Sequence, residues 1–173
     1  MPAAPGSSTP GDLCSGCGLC CQGWVSFQTL LSHAEAEGIR RVTAVVQTPL
    51  GPVIPQPCAF HTGCACRIYD RRPMVCRQFS CASLSACERG ELSFDDAQQR
   101  IQRAVTAMTE LGAELRAAGW MLPGDAGVTA WRRFTAESRR ASDPVAFRRT
   151  NARVLLAGAT ASAAGVLALG DCL

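Results

Sequence analysis

The sequence predicts an α+β fold: a small cysteine-cluster domain organised by metal, with a helical C-terminal extension. Three observations lead there. Eight of the eleven cysteines fall into two groups, Cys14, Cys17, Cys20, Cys21 and Cys58, Cys66, Cys76, Cys81, with no cysteine between the groups. Short β-branched stretches at 42–46 and 53–54 flank a Pro-Leu-Gly-Pro turn at 49–52. From Ser93 onward the pattern takes on the period of helices.

At 173 residues the chain fits one small domain with an extension. The expected divisions are a disordered leader at 1–12, a cysteine-cluster metal-binding domain at 13–90 and a helical extension at 91–173. The leader is Pro, Ala, Ser and Gly, with no basic start and no apolar stretch, so it does not read as a secretory signal. A cytoplasmic location is therefore expected, where thiols stay reduced and clustered cysteines read as metal ligands rather than disulfides. The odd cysteine count points the same way.

Net charge is +3, and the positive side is all arginine, since the chain has no lysine. Residues 132–153 carry seven arginines against Glu137 and Asp143. Without interleaved aromatics this reads as a solvated helical face, and nucleic acid is not an expected partner.

Taken in order, residues 13–23 form a Gly- and Cys-rich loop in which Gly16, Gly18 and Gly23 permit positive φ. A strand at 24–27 and a helix at 29–37, stopped by Gly38, follow; the strands at 42–46 and 53–54 come next. The stretch 58–87 has little periodicity and reads as loop and short turns. Ser93 caps a helix with Asp96 three residues on. Phe94, Ala97, Ile101, Ala104, Met108, Leu111, Leu115 and Ala118 then form one apolar seam, ended by Gly119 and Pro123. Such a seam wants a partner helix. Two candidates lie in the chain, at 128–141 and after the Asp143 cap with Pro144 at its first position. A homo-oligomer or a partner protein meeting the 93–118 helix is the other option. The last helix ends in an uncharged run at 154–170, rich in Ala, Gly, Thr and Ser, which suits close packing better than membrane insertion.

The cysteine chemistry narrows further. Soft thiolates select zinc, copper(I) or iron–sulfur clusters over hard cations. A Cys-x2-Cys loop lets two sulfurs meet one ion. Side chains of neighbours such as Cys20 and Cys21 diverge, so the pair serves two metals or splits its roles. Eight thiolates also exceed the charge of one divalent ion. Two ions, a polynuclear cluster or some protonated sulfurs would resolve this, with Arg67, Arg71, Arg72 and Arg77 offsetting what remains. Iron–sulfur ligation rivals zinc, because Cys14, Cys17 and Cys20 have the ferredoxin-type opening and Cys58, after Pro57, could be the remote ligand.

The blocks Cys14-Ser-Gly-Cys17-Gly-Leu-Cys20-Cys21, Pro57-Cys58 and Cys66-Arg-Ile-Tyr69-Asp-Arg-Arg72-Pro73-Met-Val-Cys76-Arg77-Gln-Phe79-Ser-Cys81 resemble the YkgJ-type cysteine-cluster family, over about residues 12–82. That resemblance implies bacterial cytoplasmic chelation of zinc or iron through the metal ligands Cys14, Cys17, Cys20, Cys21, Cys58, Cys66, Cys76 and Cys81. A similar domain occurs in larger flagellin lysine-N-methylases, but this chain shows no Gly-rich nucleotide loop after a strand, so that activity is not carried over.

Cys64 precedes Cys66 by two residues and could take its place; Cys87 and Cys172 read as bystanders. His61 has ligand-like spacing in Cys58-x2-His61-x2-Cys64, whereas His33 reads as an ordinary histidine. Tyr69, Arg72 and Pro73 are expected to support the loop rather than react. No catalytic residue and no enzymatic activity is assigned. The expectation is a metal-binding protein holding zinc or iron. An iron–sulfur oxidoreductase or protein-modification enzyme, and a helical interaction module with a structural metal, are the alternatives.

Overall fold

The computed structural model describes residues 10–63 and 65–164. Cys64, Cys172, most of the expected leader and the end of the 154–170 run lie outside the described residues. The chain is α+β, with small antiparallel sheets and a helical C-terminal region.

Helix α1 (Pro10–Ser15) opens the described residues, where the end of a leader and a loop were expected. Strand β1 (Gln28–Leu30) follows, four residues later than the sequence suggests. Helix α2 (His33–Ile39) is capped by Ser32, whose side chain accepts from the Glu35 N–H while Glu35 returns a bond to the Ser32 N–H. Strands β2 (Val46–Thr48) and β3 (Gly51–Pro55) complete an antiparallel sheet in the order β1-β3-β2, with Thr29 opposite Ile54 and Val46 opposite Val53. The shift of β1 has a physical cause: Trp24 is taken up by the helical core, so the chain can reach the sheet only after it.

The stretch read as loop holds more structure than its weak periodicity suggests. It contains the hairpin β4 (His61–Thr62) and β5 (Ala65–Cys66), a 3-10 turn at Tyr69–Arg71, and helices α3 (Met74–Gln78) and α4 (Ala82–Glu88). These elements are too short to repeat a pattern.

Helix α5 (Phe94–Ala117) is the seam, begun by Ser93, whose Oγ accepts from the Asp96 N–H at 3.1 Å. Its residues Met108, Leu111 and Leu115 are fully buried. They pack against α6 (Gly127–Arg140) and α8 (Ala152–Ala163) through Phe134, Val154, Ala157 and Ala161. The seam is thus covered within the chain. The expected single last helix is two: α7 (Pro144–Thr150) and α8, broken at Asn151. Small residues let α8 approach closely; a Cβ at Gly158 would collide with the Trp131 ring. Among the described residues no helix is long and apolar enough to cross a membrane.

The cysteine region is stitched onto this core. Leu19 and Trp24 are buried with the α5 residues. The Trp24 ring lies over Gly127 so closely that a Cβ there would collide with it. Helix α6 has no side-chain cap; instead the N–H of Val128 donates to the Gly23 carbonyl at 2.8 Å, and that of Gly127 to the Gln22 carbonyl at 3.4 Å.

Candidate metal centre

The first cysteine group is carried by the end of α1 and the turns after it. Buried Leu13 and Leu19 anchor this stretch at both ends. Turn bonds fold the intervening chain: Cys17 N–H to the Cys14 carbonyl at 3.3 Å, Gln22 N–H to Gly18 at 2.9 Å and Gly23 N–H to Cys20 at 3.1 Å. Gly18 and Gly23 do take positive φ, 70° and 76°, whereas Gly16 does not. Glycine at 18 has a second reason, since a Cβ there would collide with the imidazole of His61.

The second group is brought to the first by the backbone. The Cys58 N–H donates to the Cys21 carbonyl at 2.7 Å. The hairpin then sets His61 opposite Cys66. Helix α3 carries Cys76 beside β1, where Thr29 hydrogen-bonds its sulfur. Cys81 stands at the N-terminus of α4, which packs on α1 and so lies near Cys14.

All eight cysteines are half-buried free thiols. Their electrostatics shows who neighbours whom. Burial pushes the Cys20 thiol well above the ordinary range, and Cys17, Cys14, Cys21 and Cys81 push it further. Cys21 rises to about 12, through burial first and then Cys58, Cys66, Cys76 and Cys14. Cys76 rises to about 11 through burial and then Cys58, against the opposing pull of Thr29 and Arg72. Burial also raises Cys58, but N–H groups of Phe60 and His61 and the charge of Arg67 work against it. Cys81 is a thiol of the second group among the neighbours of Cys20.

Arg72 serves the centre structurally. Its Nε donates to the Tyr69 carbonyl at 2.8 Å, its Nη1 reaches Cys14 Sγ at 3.8 Å, and the guanidinium lies 3.5 Å from the centre of the Tyr69 ring. Tyr69 in turn donates its hydroxyl to the Gly11 carbonyl at 2.8 Å. Pro73 is buried at the entry to α3. Glu35 fixes the same helix from outside, accepting the Met74 N–H at 2.6 Å. Sequence reasoning singled out neither Thr29 nor Glu35. The Ser32-x2-Glu35 spacing of a capping box is the signal that could have found the latter.

The donor set fits a soft cation. Buried thiols with raised pKa values are neutral without one, and a bound cation would favour their ionised form. His61 Nε2 is buried with no hydrogen-bond partner, and burial lowers the imidazole pKa, which keeps it in the neutral, ligating form. Yet among the described residues no three His, Cys, Asp or Glu side chains are placed so that they could hold a metal ion as they stand. The sulfurs share a neighbourhood and would have to draw closer to share an ion. Cys87 packs against Leu13, Leu84 and Ala97, the same cluster that Cys14 and Cys81 meet.

No curated protein and no solved structure gives a significant match to the chain. One family does, and its match extends from Leu13 past Cys81 into α5. Across residues 13–106, more than half its length, the chain belongs to the CxxCxxCC family, described as "Putative zinc- or iron-chelating domain".

Proposed function

We propose that this protein chelates zinc or iron through Cys14, Cys17, Cys20, Cys21, Cys58, Cys66, Cys76 and Cys81, in the cytosol and without a catalytic reaction of its own. One observation carries the reading. The hydrogen bond between the Cys58 N–H and the Cys21 carbonyl joins two motif halves far apart in sequence, so that half-buried thiols of both halves oppose one another's ionisation. Such crowding in a partly dry setting opposes ionisation unless a cation is present. All-thiolate ligation also suits holding a metal more than hydrolysis, which needs an open position for water. The α5 seam is filled by α6 and α8, which favours chelation over a partner-helix role. Division of the chain near residue 90 remains part of this reading, with the helical part acting as a scaffold for the cysteine turns.

The test is elemental analysis of anaerobically isolated protein, wild type against Cys17→Ser and Cys76→Ser. Both substitutions are expected to lower bound metal and thermal stability together. Unchanged metal content in both rejects the assignment. The visible spectrum of the same sample separates the two metals: strong absorbance marks an iron–sulfur centre, and a colourless zinc protein excludes it.

A further inference from the structure

Resting on the chelation reading, we propose that the eight cysteines form two separate four-thiol sites, Cys14 with Cys17, Cys20 and Cys81, and Cys21 with Cys58, Cys66 and Cys76. The boundary between them is the peptide bond joining Cys20 to Cys21.

Packing assigns the members. Cys14 and Cys81 lie together against Leu13, Leu84 and Ala97, where α1 meets α4 and the start of α5. Cys17 packs on another cluster, the core that includes Leu19, and is tied to Cys14 by its N–H, which donates to the Cys14 carbonyl at 3.3 Å. Cys58 and Cys66 lie in a different apolar cluster, against Leu31, Ile54 and Phe60 beneath the three-stranded sheet. Cys21 is tied to that cluster by the backbone bond from Cys58, and Cys76 by its contact with Thr29 on β1. Each of the two walls therefore brings its own thiols to the junction.

Electrostatic neighbours repeat the division. Cys17, Cys14 and Cys81 act on Cys20, while Cys58, Cys66 and Cys76 act on Cys21 more strongly than Cys14 does; Cys20 is also raised by Cys21, its neighbour in the chain. Four thiols is also the ligand number of a closed structural zinc site, so neither set needs the other. Arg72 spans the boundary, reaching Cys14 on one side and acting on Cys76 on the other. A cation placed there offsets the excess negative charge that two four-thiolate sites would carry.

Anaerobic titration of the reduced, metal-free full chain with cobalt(II), followed by thiolate-to-cobalt absorbance, tests the division. The wild type is expected to saturate at about two equivalents. Cys17→Ser with Cys81→Ser removes one set and should saturate at about one equivalent, as should Cys66→Ser with Cys76→Ser. Cys66→Ser with Cys81→Ser damages both sets and should lose both tight steps. Wild-type saturation at one equivalent, which needs no variant to fold, overturns the division while leaving chelation intact. So does equal loss in same-set and cross-set pairs. A wild type that takes up no cobalt overturns both readings.

Discussion

The backbone N–H of Cys58 donates to the carbonyl oxygen of Cys21 at 2.7 Å, across thirty-six intervening residues. This single bond holds the thiols of the sheet side next to the end of the first motif. Closeness without a cation has a cost in alkali. In the metal-free chain Cys76 and Cys21 are raised to about 11 and about 12, chiefly by burial. The unfolded chain releases these protons near pH 9 while the folded chain keeps them, so stability falls as pH rises from there through the folded values. Urea midpoints of the metal-free protein should therefore drop between pH 8.5 and 10.5. With metal bound the sulfurs are already ionised and the drop should be smaller; a flat metal-free profile would contradict the burial of these thiols.

Glu35 is expected to matter more than an exposed helix residue should. Its Oε2 accepts from the Ser32 N–H and Oγ, each at 2.8 Å, and its Oε1 accepts from Met74, so one carboxylate joins α2 to the helix carrying Cys76. These bonds hold its pKa below the ordinary carboxylate value. An amide has one acceptor oxygen and cannot serve both helices. Glu35→Gln should cost about 1 kcal/mol at neutral pH. A group with a depressed folded pKa stabilises above its unfolded value and stops doing so as pH falls through the folded one. The gap between the two proteins in urea should accordingly close below about pH 4.

Local chemistry was readable before the fold was known, and long-range packing was not. Ser93 with Asp96 and the spacing from Ala97 to Leu115 sufficed to place α5, because cap and seam both lie within one helix. Asp143 followed by Pro144 marked the start of α7 for the same reason. The displacement of β1 could not be read, since it depends on Trp24 being buried against Gly112 and Gly127, about ninety and a hundred residues away. The eight thiols were legible as candidate ligands by type. Their neighbours were not: that Cys81 lies near Cys14 follows from α4 packing on α1, a contact with no trace in the spacing.

The Trp24 contact yields a contrast between glycines. A Cβ at Gly127 would strike three atoms of the Trp24 ring, and that ring is itself walled by the core. Gly127→Ala should cost about 1–3 kcal/mol, lowering Tm by about 2–4 °C per kcal/mol in a chain of this size. At Gly38, inside α2, no atom lies within 4 Å of the new Cβ and φ is not positive. Gly38→Ala should raise Tm slightly, since alanine is favoured over glycine in a helix by about 1 kcal/mol at most. Equal Tm values for the two variants would argue against Trp24 lying over α6.

Asn151 decides where the last helix breaks, and its side chain explains why a polar group is tolerated in the core. It is 7% exposed. Its Oδ1 accepts the Trp120 indole N–H at 2.8 Å and its Nδ2 donates to the Phe147 carbonyl at 3.0 Å, while Trp120 packs edge-on against Phe134 at 5.5 Å. Asn151→Leu would leave the indole N–H without a partner in an apolar setting, a loss of about 1–3 kcal/mol. Trp120→Phe in that background removes the orphaned donor along with its partner. The two substitutions together should therefore cost less than the sum of the singles, by about 1 kcal/mol. Additive losses in urea would mean that the bond contributes nothing and that Asn151 acts only by ending α7. Metal content per folded chain should be the same in all four proteins, because this pair touches none of the cysteines.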